Sequence, residues 1–87
     1  MKVVTKPIDT IATFNKEGKP VPIKFRLEKE DGSVVIVNVE HVKYSKLEKF
    51  GGNKMMIFSC RSTINNTAVL YEIKYELDTM KWILFKI

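Results

Sequence analysis

Few side chains in this 87-residue chain could carry covalent or acid–base chemistry. There is one histidine, His41, and one cysteine, Cys60. A thiol activated by an imidazole is a nucleophile, but the two must lie within hydrogen-bond reach, and a third group normally orients the base. His41 and Cys60 approach only if His41 points to the same inward face as Val39. The plainer reading makes His41 a rim side chain and Cys60 a packed thiol. One histidine and one cysteine fall short of the three or four ligands of a zinc site, and no spacing of carboxylates completes one. Glu28, Glu30 and Asp31 cluster around a turn, where water bathes an acid and no apolar pocket raises its pKa. Gly51-Gly52-Asn53-Lys54 lacks the length and the strand–helix setting of a phosphate-binding loop. No catalytic residue, metal or cofactor is assigned, and the expectation is a protein that is not an enzyme.

Two binding chemistries remain. The net charge is +5, and the stretch from Lys43 to Arg61 carries most of it: Lys43, Lys46, Lys49, Lys54 and Arg61 against Glu48, or 5 − 1 = +4. Tyr44 and Phe50 are interleaved with these lysines. Cations for phosphates and rings for bases are the ingredients of a single-stranded nucleic-acid surface. The same residues also describe a solvated lysine-rich loop whose rings anchor it to the core. The second chemistry is apolar. Val34, Ile36, Ile83, Phe85 and Ile87 lie on strand faces left over after a core face has been assigned, and exposed apolar patches commonly mark interfaces. The expectation is a small interaction module with a protein partner or a weak homodimer through those five residues. The alternative is a basic barrel that binds single-stranded nucleic acid.

The elements that must position these residues read as strands. In the C-terminal stretch Tyr71, Ile73, Tyr75 and Leu77 alternate with Glu72, Lys74 and Glu76, the two-residue period of a half-buried strand. Asp78-Thr79 interrupts the pattern before a second run begins at Trp82. This predicts a hairpin with Leu77 opposite Trp82 and Tyr75 opposite Leu84, forming the aromatic floor of the core. Upstream, Ile8–Phe14 is a strand, Asn15–Gly18 a turn, and Pro20 with Pro22 an edge, bulge or strand entrance, since proline has no N–H for a ladder. Ile23, Phe25 and Leu27 then point inward. A three-residue Glu30-Asp31-Gly32 loop sets them opposite Val39, Val37 and Val35, whereas a two-residue loop would put Phe25 opposite Asn38. Tyr44–Asn53 shows no sustained alternation and reads as a long mobile loop with one helical turn near residues 46–50. Lys54–Ser62 returns to strand with Met56, Phe58 and Cys60 inward, and Asn65-Asn66 supplies a turn. The result is an all-β single domain over residues 1–87, with five to six antiparallel strands in a meander that forms a small barrel or a two-layer sandwich.

The remaining features bound the setting. No run approaches the ~18–20 apolar residues of a membrane span, and Met1–Pro7 lacks the apolar core of a secretory signal. A lone cysteine cannot form an internal disulfide. A cytoplasmic protein without a membrane partner is expected. Lys6-Pro7-Ile8 through Phe14, Gly18, Pro22–Phe25, Gly32, Tyr75-Glu76-Leu77 and Trp82 together resemble a family of small all-β proteins of low-GC Gram-positive bacteria. The resemblance spans nearly the whole chain and implies a cytoplasmic bacterial protein. Turn glycines and core aromatics carry it, so it brings no activity and no functional residues.

Overall fold

The computed structural model describes every residue from Met1 to Ile87 as seven strands and no helix. They are β1 (Val3–Phe14), β2 (Pro20–Glu28), β3 (Val34–Asn38), β4 (His41–Phe50), β5 (Asn53–Ile64), β6 (Thr67–Glu76) and β7 (Lys81–Lys86). The all-β antiparallel class is as expected, with one strand more than the sequence indicates. That strand is β4, which replaces the expected loop and helical turn. Gly51 and Gly52 both have positive φ, 54° and 93°, and form a two-residue turn that closes Phe50 onto Asn53. Such turns suit the right-handed twist of a hairpin and favour glycine. β4 hides from periodicity because its inward positions include Ser45 and Lys49, which are exposed and polar.

The strands form one sheet in the order β3-β2-β1-β7-β6-β5-β4. Its two edges, β3 and β4, follow each other in sequence with only Val39 and Glu40 between them. So short a link can join opposite edges only if the sheet curls until they nearly meet. β3 accordingly touches β5, and the sheet becomes a half-barrel rather than a two-layer sandwich. The inner face holds the core: Ile8, Phe25, Val37, Phe58, Cys60, Tyr71, Ile73, Tyr75, Trp82 and Leu84. Aromatic rings bridge its two halves. Phe25 meets Tyr71 edge-on at 5.5 Å, and Trp82 packs against Tyr75 at 4.9 Å and Phe58 at 5.6 Å. Aromatic area of this kind dominates core energetics. No helix is long and apolar enough to cross a membrane.

The β2–β3 register agrees with the expectation, with Leu27 opposite Val35 and Phe25 opposite Val37. The Lys29 N–H donates to the Ser33 carbonyl at 2.8 Å across a three-residue loop, with Gly32 at φ 85°. Ile23 departs from its assigned inward position. The β1–β2 register shifts between Ile11 and Ala12, which leaves Ile23 exposed and turns Pro20 and Pro22 inward instead. Because β3 ends at Asn38, opposite Lys24, no strand lies beside those prolines on that flank. A missing N–H costs nothing there.

The C-terminal hairpin is offset by two residues from the expected register: Tyr75 lies opposite Trp82 and Ile73 opposite Leu84. An even offset keeps every side chain on its face, so the aromatic floor survives. Leu77 leaves the strand and becomes exposed in a four-residue turn between Glu76 and Lys81. The Glu76 carboxylate organises this turn by accepting from the Thr79 hydroxyl and, at 2.7 Å, from the Asn53 amide. Those two bonds, Thr79's first, hold its pKa below the usual carboxylate range. β1 and β7 pair through the middle of the sheet. Lys2 and Ile87 exchange backbone hydrogen bonds of 2.7 and 2.9 Å.

Candidate functional site

Cys60 lies fully buried on the inner face, opposite Val42 on one side and Tyr71 on the other. Burial pushes its thiol up to about 12, so it is protonated and inert at neutral pH. His41 pairs with Arg61, one position along the ladder, and is therefore exposed on the opposite face. The sheet separates the two residues. Asp31 sits exposed in the β2–β3 loop, where the Ser33 hydroxyl and N–H hold its pKa down.

A polar cluster that periodicity does not reveal lies at the seam of the half-barrel. Ser62 continues the inward series Met56, Phe58, Cys60 and is almost completely buried. Its hydroxyl donates to the Asn38 carbonyl at 2.6 Å, and its oxygen accepts from the Tyr71 hydroxyl at 2.6 Å and the Glu40 N–H at 3.3 Å. Every bonding position of Ser62 is therefore used. The cluster ties the end of β3 and the link after it to β5 and β6. Burial pushes the Tyr71 phenol up to about 12. The signal in the sequence is a serine at an inward position of an apolar strand, which must find partners when buried.

The basic segment falls on β4 and β5, and the register sorts it by face. Tyr44, Lys46, Glu48 and Phe50 occupy outer positions, together with Arg61. Lys49 and Lys54, directly opposite each other, share the inner parity. Lys43 is the extra residue of a bulge between Val42 and Tyr44. Lys46 is held 2.7 Å from Glu48, and Glu72 and Glu76 stand on the same outer face. These residues line no single basic groove.

The apolar candidates are also divided. Val34 and Ile36 are exposed on β3, whereas Ile83 and Phe85 are half-buried on β7. The 2.5 Å Arg26–Asp9 ion pair lies between the two sets on β2 and β1. Ile87 packs against the core instead of joining an interface. Phe85 already has a partner: the Lys74 ammonium sits 3.4 Å from its ring centre and 5.0 Å from that of Phe50. Lys74 is only 8% exposed and covers this part of the outer face.

What stays uncovered is β4 itself. Tyr44, Leu47 and Phe50 are 55%, 57% and 48% exposed. The two-residue turn makes Phe50 and Asn53 a hydrogen-bonded pair, and the ladder runs without a shift from Tyr44 to Phe50. Alternate residues, Tyr44, Lys46, Glu48 and Phe50, therefore bond β5, while the N–H and C=O groups of Ser45, Leu47 and Lys49 point away from the sheet. The fold is thus a small half-barrel with one long open edge. No family model, curated protein or solved structure matches this chain.

Proposed function

We propose that this protein is a small non-catalytic interaction module that binds protein by adding a strand to β4. The observation that carries the reading is the coincidence, on one strand, of three outward-facing backbone pairs with the exposed side chains Tyr44, Leu47 and Phe50. Edge strands are normally short, covered or blunted. β3 is short at 5 residues, but β4 runs for 10 with no neighbour on one side. An incoming strand gains affinity from main-chain hydrogen bonds and specificity from alternate side chains. Lys43, Lys46 and Lys49 repel basic segments and discourage unselective pairing, which favours acidic, extended partners. The groups with latent chemistry support a non-catalytic role, because Cys60 is a neutral buried thiol and the Ser62–Tyr71 pair is fully engaged in the fold. A reduced lone thiol also suits work in the cytoplasm.

Selection of binders from a random peptide display library, followed by amide chemical-shift mapping, tests this. Selected peptides should be extended and acid-rich and should perturb Ser45, Leu47 and Lys49 most. Leu47→Pro should abolish their binding while leaving the fold intact, since the N–H it removes faces away from β5. Peptides that map to another surface, or a selection that yields none, would overturn the reading.

A further inference from the structure

We propose that the strand added to β4 is β4 of a second copy of this chain, paired antiparallel about a two-fold axis through Leu47. This rests on the strand-addition reading above and names its partner. In an antiparallel pair, directly opposite side chains share a face, so a two-fold axis must pass through one residue. Each choice of residue can be tested against the charges on the strand.

An axis through Lys46 sets Lys46 against itself, and one through Glu48 sets Glu48 against itself. Like charges directly opposite are destabilising. An axis through Ser45 places Lys46 opposite the partner's Tyr44 and Leu47 opposite the partner's Lys43, without an ion pair. The Leu47 axis differs in every respect. Lys46 meets the partner's Glu48, and Glu48 meets the partner's Lys46. Tyr44 meets the partner's Phe50 and Phe50 the partner's Tyr44, the aromatic cross-strand pairs that favour sheets. Leu47 meets the partner's Leu47 at the centre.

The backbone agrees with this register. Ser45, Leu47 and Lys49 are the residues whose N–H and C=O groups face out of the sheet, and the axis sets them opposite Lys49, Leu47 and Ser45 of the partner. Each unpaired group finds its complement, and two half-barrels join into one continuous sheet. The 2.7 Å Lys46–Glu48 contact within each chain becomes part of an alternating square of four charges. Lysines that resist unrelated strands thereby admit a copy of their own, a combination of attraction and repulsion that gives specificity. The three exposed large apolar side chains of β4, Tyr44, Leu47 and Phe50, are covered in the same step.

The test is sedimentation equilibrium of the intact chain over roughly 10 μM to 1 mM, a range suited to a contact smaller than a standard interface. A monomer–dimer equilibrium is expected. Lys46→Glu alone and Glu48→Lys alone each place like charges opposite one another and should weaken it about tenfold or more. Mixing the two single variants should restore association, because a strand carrying carboxylates at both positions then faces one carrying ammonium groups at both. Leu47→Pro should abolish the dimer, and circular dichroism should show an unchanged strand signature for every variant. A chain monomeric throughout, or a dimer indifferent to these changes, overturns the proposal. If library peptides still map to β4 in that case, strand addition stands and only the identity of the partner fails. If they do not, both readings fail.

Discussion

Ser62 shows how one hydroxyl can close a sheet. It has one proton and two lone pairs, and the Asn38 carbonyl, the Tyr71 hydroxyl and the Glu40 N–H account for all of them. Removing one partner of a buried hydrogen bond leaves the other unsatisfied, at a cost of about 1–3 kcal/mol. Ser62→Ala and Tyr71→Phe should each destabilise by roughly that amount in urea unfolding, and the double variant by less than the sum because the two share a bond. A Tyr71→Phe protein as stable as the parent would remove the phenol from the clasp. The same burial predicts the alkaline limb of stability. Cys60 and Tyr71 have folded-state values near 12, above their ordinary 9.0 and 10.0. Their contribution is complete below pH 9 and is lost towards pH 12, as the unfolded chain gives up protons that the folded chain retains. The thermal midpoint should fall across that window, and Cys60→Ala should flatten its first part. Cys60 as an inward side chain is legible in the sequence, because free cysteine is a buried type. The role of Ser62 is not, since Asn38 and Tyr71 lie 24 and 9 residues from it and periodicity carries no information about such pairs.

Turn chemistry decides the elements. Asn65 and Asn66 occupy the left-handed region at φ 50° and 62°, the same two-residue geometry as Gly51-Gly52. Glycine at the second position removes the side-chain penalty, so Asn66→Gly should raise stability by about 0.5 kcal/mol, whereas Gly52→Ala should lower it by about 1 kcal/mol or more. Equal unfolding midpoints for all three proteins would show that these turns do not hold the ladders in register. Where turn and pattern agree, the sequence is readable: Gly32 and the two apolar series around it select the same β2–β3 register. At β6–β7 the alternation is satisfied equally by two registers two residues apart, and the choice is made by the Glu76 side chain. β4 is illegible for a different reason, because an edge strand over the open end of a half-barrel has little to bury. Its alternation of Tyr44, Lys46, Glu48 and Phe50 with Ser45, Leu47 and Lys49 marks faces without marking a core.

At the scale of the molecule, strand addition and the curl are connected. A closed barrel has no edges, but here the link of Val39 and Glu40 brings β3 only as far as β5 and leaves β4 overhanging the seam. The surplus of lysine follows the same geography. It falls on β4 and its neighbour β5 and is divided between the two faces of the sheet, a placement that suits the selectivity proposed for the edge.

The pairing of β1 with β7 also bears on how the chain reaches this state. Val3 lies beside Lys86 in the middle of the sheet, so β1 completes its pairing only after β7 has been made. Until β7 is in place, Ile8 lacks its Trp82 neighbour and the β1–β3 hairpins have no strand to join, so the inner face of the nascent sheet is open. Closing a loop of nearly the whole chain must precede any return from those contacts. Refolding from urea should therefore reach completion only in the millisecond-to-second range of domains dominated by distant contacts. During that interval the open β4 edge is already complete, since the β4–β5 hairpin is local. If β4 pairs with a second copy of the chain as proposed, that encounter competes with closure of the sheet whenever the chain is made at high concentration.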